Sequence, residues 1–445
     1  MRAKHLWGIL AVSLMGTACQ SQPPAQPPQW TWKAKAQAFW QAPGRYVSGL
    51  PTNIGLVGKM QVRLTVEGSQ WLWNYNRARG LGKVAPNLTA APQSADQASW
   101  QSWIDAKILF DRNEAAKVAQ RENLKDGVNQ PPFTNLPDPG PAPESLTALA
   151  GPVPAFAEAV VPMQHSVRFD DLALSYVDNP AMRINFAYYR FPEGVQDAGV
   201  RMKEMPQAEV VKLLQLAGIN ESERRIFQAV SLLEGGFESV NTYDTGYVSV
   251  GFIQFASLGG GAGSLGSVLL KHKKDSPVSY EKHFQNHGID VTQSGELAAL
   301  NIATGEVLTG ASAAIQIIKD KRLIAVFQRA GRVSTENRVA QLQVAKQQYF
   351  PANDPVTITL DGQRVTGVIS TVIKSEAGMA TLMDRKVNTG KVDPLARVLE
   401  ATGAKYKLKT FAELAKYELE IVQQLKYRKD YLLDKTLTTP VQKPQ

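Results

Sequence analysis

Apolar residues recur at helical spacing over much of the second half of the chain. After Gln207, Val210, Leu213 and Leu214 mark one helix, and Ile226, Val230 and Leu233 mark the next at spacings of four and three. Asn220 with Glu223 three residues on is the pattern of a capping box, which places the start of the second helix there. Phe411, Leu414, Tyr417, Ile421 and Leu425 stripe a long final helix, and Ser94 to Leu124 reads as another. Alternation is rarer. Met60 to Tyr75 reads as two strands around a Glu67-Gly68 turn, with Val62, Leu64 and Val66 alternating, and Met182, Ile184, Phe186 and Tyr188 alternate in a further strand.

Prolines divide these patterns. Between residues 127 and 163, Pro131-Pro132, Pro137, Pro139, Pro141, Pro143, Pro152 and Pro154 interrupt any regular element, so a linker is expected there. The pattern then predicts an α+β protein: a small mixed α/β N-terminal domain over 30–126 and a mainly helical C-terminal domain over 164–435, with a flexible tail at 436–445. The N-terminal unit carries Trp30, Trp32, Trp40, Trp71, Trp73, Trp100 and Trp103. Exposed, they would stack on sugar rings; buried, they make the core of a small domain, and the core is the preferred reading.

The first residues change the picture of where the protein works. Arg2 and Lys4 precede a short apolar run from Leu6 to Met15, then Gly16-Thr17-Ala18 and Cys19, the sole cysteine. This resembles a bacterial lipoprotein signal, which implies cleavage after residue 18 and a lipid on Cys19. Residues 19–29 are then a Pro/Gln spacer. Gln20, in place of Asp, implies by the same resemblance an outer rather than an inner membrane. A single cysteine leaves no disulfide within the chain. Removing residues 1–18 takes two cations and no acids from a formal net charge of +9, leaving +7, which suits contact with anionic envelope polymers. The basic residues are scattered, so no nucleic acid is expected as a partner.

One segment carries chemistry: Leu232 to Phe255, LLEGGFESVNTYDTGYVSVGFIQF. An apolar helix ends near Glu234 before Gly235-Gly236, a polar loop follows, and an apolar run closes it. Glu234 with Phe237 resembles the Glu-Ser-x-Phe of lytic transglycosylases, with Gly235 in place of Ser. Gly251-Phe252-Ile253-Gln254 resembles their Gly-Leu-Met-Gln signature. Asp244-Thr245-Gly246-Tyr247 resembles the chitosanase loop that holds a second carboxylate, and Gly378 to Asp384 resembles the helix behind the chitosanase cleft. The resemblance, to the lysozyme-like superfamily, spans much of 205–395. It implies a lysozyme-like C-terminal domain that cleaves β-linked amino-sugar glycans, peptidoglycan first and chitosan second, without a cofactor or metal.

The residue chemistry is consistent with that. Glycosidic cleavage needs one protonated and one ionised carboxyl in unlike surroundings. Glu234 at a helix C-terminus, against Phe237 and Phe252, is the candidate acid. Asp244 in a Thr/Asn/Tyr/Gly loop is the candidate base or electrostatic partner, although Asn241 to Asp244 is equally turn-like. Glu238 is the rival acid. Gln254, Tyr247, Tyr243, Ser249 and Phe252 are candidate glycan contacts, and packing explains each of them as well. A non-catalytic wall-binding protein of the same fold is the alternative. Gly261 to Gly266 spells GxGxxG, but a dinucleotide site needs a second parallel strand ending in an acid, and Lys271 to Asp275 follows instead. Those glycines read as a mobile loop beside the cleft. His272, His283 and His287 lack metal-ligand spacing, and no HExxH or GxSxG occurs.

Overall fold

The computed structural model describes residues 30–51, 59–81, 92, 94–125, 135–183, 185–232 and 235–441. They form an α+β protein in which about half the residues are helical and the strands sit in several small sheets. Helix α1 (Lys33–Gln41) is tied to distant residues by its tryptophans. Trp40 Nε1 donates to the His287 carbonyl at 2.8 Å, and Trp32 Nε1 donates to Asp290 Oδ2 at 2.9 Å. Strand β1 (Tyr46–Gly49) and strand β2 (Gln61–Leu64) follow.

Residues 60–75 are not the two strands the alternation suggests. The chain enters helix α2 (Val66–Ala78) directly after β2. Thr65 caps it by accepting the Gly68 N–H at 3.0 Å, and Glu67 sits favourably in the first turn. Gly68 is a packing residue there: a Cβ on it would lie 2.7 Å from Thr65 Oγ1 and 2.9 Å from Phe156. Helix α3 (Ala95–Lys125) lies where a helix is expected, over residues 94–124. Together with α4 (Glu144–Ala150), these elements bury Trp71, Leu72, Tyr75, Ile104, Ile108 and Phe156, with Trp73, Trp100 and Trp103 packed against them. The tryptophans from Trp71 onward thus serve a core, as do Trp32 and Trp40.

Strands from both sides of the expected linker pair. β3 (Ala157–Val160), which lies within 127–163, is antiparallel to β2, and β4 (Gln164–Arg168) lies between β1 and β5 (Ala173–Val177). The chain from Trp32 onward is one compact unit. Residues 126–134 lie outside the described residues, and so does Ile184; the expected strand around it is irregular at 181–188.

Helices α5 (Gln207–Leu216) and α6 (Glu221–Ser231) match their apolar spacing. The capping box is present: Glu223 N–H donates to Asn220 Oδ1 at 2.9 Å, and Asn220 N–H to Glu223 Oε2 at 3.0 Å. A four-stranded antiparallel sheet of two-residue strands follows, β6 (Gln196–Asp197), β7 (Val240–Asn241), β8 (Ser249–Val250) and β9 (Phe255–Ala256). Helices α7 (Ser264–Asp275) and α8 (Pro277–His283) lead to the sheet β10 (Ile289–Val291), β11 (Leu297–Leu300) and β12 (Val307–Thr309). Buried strands do follow the GxGxxG helix, but they are antiparallel to one another. Of the loop that the glycines suggest, Gly261 is buried, whereas Leu258, Gly259, Gly260 and Ala262 are exposed. A Cβ on Gly261 would lie 2.4 Å from the Gly310 carbonyl oxygen, and one on Gly266 would lie 1.9 Å from that of Gly295.

Helices α9 (Gly310–Lys319), α10 (Lys321–Val333) and α11 (Thr335–Tyr349) fill the centre, and Ile317, Leu323, Ile324, Val326 and Leu342 are fully buried. Beyond them, β13 (Pro355–Leu360) and β14 (Gln363–Val368) form a hairpin. Its Asp361-Gly362 turn has φ of 49° and 75°, the left-handed geometry that two-residue hairpins favour. After the single turn α12 (Ile369–Val372), α13 (Glu376–Thr389) packs on α6, where Arg225 and the buried Glu376 pair at 2.6 Å. Helix α14 (Leu395–Tyr406) covers β13. The final stripe is not one helix: Phe411–Tyr417 is 3-10, and α15 (Glu418–Gln424) follows it. Of the flexible tail expected at 436–445, residues 442–445 lie outside the described residues, and Thr438 is docked on α13, its N–H donating to Glu376 Oε2 at 2.9 Å. No helix among the described residues is long and apolar enough to cross a membrane.

Candidate active site

The short sheet after α6 turns a run of local sequence into one wall of a groove. β7 and β8 place Asn241 opposite Ser249. The segment 188–191 joins the same meander, with Thr245 N–H donating to the Tyr188 carbonyl at 3.0 Å and Arg190 N–H to that of Tyr243 at 2.8 Å. Helix α2 braces this wall from behind: Ser69 Oγ donates to the Phe186 carbonyl at 2.8 Å and accepts the Tyr189 N–H at 2.9 Å. The facing wall comes from the end of α13, Val387 to Gly390, and from Arg428. Between them lies a groove of ≈ 680 Å³, within the range usual for ligand sites.

Asp244 stands in the groove with its carboxylate held on both oxygens. Oδ1 accepts the Gly246 N–H at 2.8 Å and Oδ2 accepts Asn241 Nδ2 at 2.9 Å. Gly246 permits this closeness, since a Cβ there would meet Ser249 Oγ at 2.5 Å and Asp244 Oδ1 at 3.0 Å. Burial, reinforced by the Asp244 charge, pushes the neighbouring Tyr243 phenol well above its ordinary range. Tyr243 therefore remains a neutral hydroxyl. Burial pulls Arg190 down, and the Asp244 charge opposes that shift. Aromatic rings line the same wall: Phe186 and Tyr188 lie edge to face at 5.6 Å, and Trp73 supports Tyr188 at 5.4 Å.

Backbone strain concentrates here. Tyr247, Gln254 and Leu258 have φ of 62°, 56° and 59°, a left-handed conformation that costs a non-glycine residue on the order of 1–3 kcal/mol. Gln254 and Leu258 line the groove. Gln254 is pinned by its side chain, with Nε2 donating to Ser239 Oγ at 2.7 Å and to the Gly251 carbonyl at 3.1 Å. Gly251 has φ of 85°, and a Cβ on it would meet Gln341 Oε1 at 2.2 Å, so both conformation and space require glycine. The Gly-Phe-Ile-Gln segment is thus a strained turn under the groove floor.

The sequence-predicted residues divide into groups. Asp244, Tyr243, Ser249 and Gln254 come together along the groove. Phe252 does not: it is fully buried against Phe237 at 5.3 Å and Phe255 at 6.0 Å, and serves the core. Tyr247 stands outside the groove lining, with its ring on Phe191 at 4.9 Å. Glu238 is buried in an ion pair with Arg332 and accepts the Val200 N–H at 3.0 Å, which anchors the loop. Glu234 and Cys19 lie outside the described residues. On the chain beside Glu234, α6 has Leu232 as its C-cap, and Gly235 N–H donates to the Ser231 carbonyl at 3.3 Å. The segment Gly378 to Asp384 is the buried part of α13, whose last turn reaches the groove.

Arg183, Phe186, Tyr188, Tyr349, Asn388 and Arg428 also line the groove, and none of them is marked by a motif. The alternation at 182–188 marked Phe186 and Tyr188 only as positions of a strand, and the segment is irregular in the structure. His272 and His287 are buried among aromatic rings, His283 is buried beside Arg329, and no cluster suited to a metal ion occurs among the described residues. Compared with protein-family models, curated proteins and solved structures, the chain finds no match.

Proposed function

We propose that this protein cleaves β-linked amino-sugar glycans in the bacterial envelope, with peptidoglycan as substrate and a lysozyme-like C-terminal domain as the catalyst. The observation that carries the reading is the groove itself, in which one fixed carboxylate, Asp244, stands among aromatic rings and amide and hydroxyl groups. Rings offer stacking faces to sugars, and amides and hydroxyls match their hydroxyl groups. In this reading Glu234 protonates the leaving oxygen, and Asp244 activates water or stabilises the developing positive charge. The outer-membrane lipid anchor on Cys19 belongs to the same proposal, because a tethered glycan-cutting domain meets the wall first.

The test is turnover of purified peptidoglycan by the full-length protein beside Glu234→Gln, with products read by mass spectrometry. Soluble muropeptides from the wild type and none from the variant support the reading, and the product ends separate hydrolysis from anhydro-sugar formation. Binding by both proteins with no cleavage of peptidoglycan or chitosan would leave a wall-binding protein in place of an enzyme.

A further inference from the structure

The charges along the groove are few and unequal. Among the described lining residues, Asp244 is the acid, and Arg183 and Arg428 are the bases. Arg428 is committed within the protein, since its guanidinium pairs with the buried Asp384. Asp244 accepts hydrogen bonds from the Gly246 N–H and from Asn241 Nδ2. Arg183 is exposed, its guanidinium lies 5.7 Å from the Phe186 ring, and no described carboxylate pairs with it. An arginine held at an aromatic platform with its donors uncommitted is built to receive a planar anion, which it binds in bidentate fashion.

From this we infer that the groove selects a glycan bearing carboxylates, with Arg183 receiving one carboxylate while an adjacent sugar ring lies on Phe186. The inference rests on the glycan-cleaving reading and narrows it. A polycationic chain such as chitosan would set its ammonium groups against the Arg183 guanidinium. An acidic amino-sugar chain meets it with opposite charge. Arg183 is a specificity residue in this account and takes no part in bond cleavage.

The experiment measures binding of the full-length protein by titration calorimetry at low ionic strength. Its probes are a peptide-free tetrasaccharide of alternating N-acetylglucosamine and N-acetylmuramic acid, and the same molecule with its carboxyls converted to methylamides. The wild type is expected to bind the acidic form about tenfold more tightly, as a charge-assisted pair at a partly exposed site implies. Arg183→Ala should bring that ratio close to one, Arg183→Lys should keep part of it, and Phe186→Ala should weaken both forms alike. Arg183 is exposed, so its variants should melt with the wild type, which is checked in parallel. Equal binding of both forms by the wild type, or an unchanged ratio in Arg183→Ala, overturns the inference. The catalytic reading fails separately: a carboxylate-dependent ratio without cleavage removes the enzyme and keeps the subsite, while cleavage with a ratio of one does the reverse.

Discussion

Replacing Asp244 with asparagine removes a charge and almost no volume. In the native loop one carboxylate oxygen accepts the Gly246 N–H at 2.8 Å and the other accepts Asn241 Nδ2 at 2.9 Å. An amide has a single acceptor oxygen, so its NH₂ must face one of those donors. One hydrogen bond to a charged group is worth about 1.5–3 kcal/mol, and partial exposure of the residue reduces the expected loss of stability to about 1–2 kcal/mol. The expected loss of turnover is larger. A general base contributes about 10²–10⁴-fold, equivalent to about 3–5 kcal/mol of barrier. The assay is release of soluble muropeptides at saturating peptidoglycan, with unfolding by urea followed on the same samples. A folded variant that turns over within about threefold of the wild type, a barrier change below about 1 kcal/mol, would refute the catalytic role of Asp244.

Three further outcomes follow from the packing. Gly251→Ala combines left-handed strain of about 1–2 kcal/mol with overpacking of about 1–3 kcal/mol against Gln341, so the urea midpoint should fall by the equivalent of about 2–5 kcal/mol. A midpoint equal to that of the wild type would show that the turn relaxes freely. Asp290 is buried and accepts from Trp32 Nε1 at 2.9 Å, Gln285 Nε2 at 2.8 Å and Lys273 Nζ at 2.7 Å. Asp290→Ala strands those donors and should cost about 3–5 kcal/mol of stability by the same measurement. A loss under about 1 kcal/mol would mean that water takes over the three donors. Burial pulls His272 and His283 down to about 4 and His287 to about 3. The unfolded chain then binds protons that the folded one does not. The stability these groups confer is complete above pH ~6.5 and falls as pH drops toward 4, by on the order of 3 kcal/mol per histidine over two pH units. Unfolding free energy measured from pH 7.5 to 4.5 should decline steeply below 6.5, and a flat profile there would show that the histidines titrate normally.

Part of this architecture is legible in the amino-acid order because its causes are local. Helices α5 and α6 and the capping box at Asn220 and Glu223 rest on contacts three or four residues apart, and those spacings are visible in the chain. Asp244, Tyr243, Ser249 and Gln254 were also legible, since they occupy one continuous segment whose turn residues dictate a tight meander. Elsewhere distant partners decide. Gly68 looks like a turn residue until Phe156, far along the chain, is packed against it, and the stretch becomes helix. Phe252, next in sequence to the groove residues Ile253 and Gln254, is drawn into the core by Phe237 and Phe255. Arg183 and Asn388 carry no mark in the sequence. Both line the groove because α2 braces one wall and α13 ends at the other, and such long-range packing leaves no spacing that a one-dimensional pattern can hold.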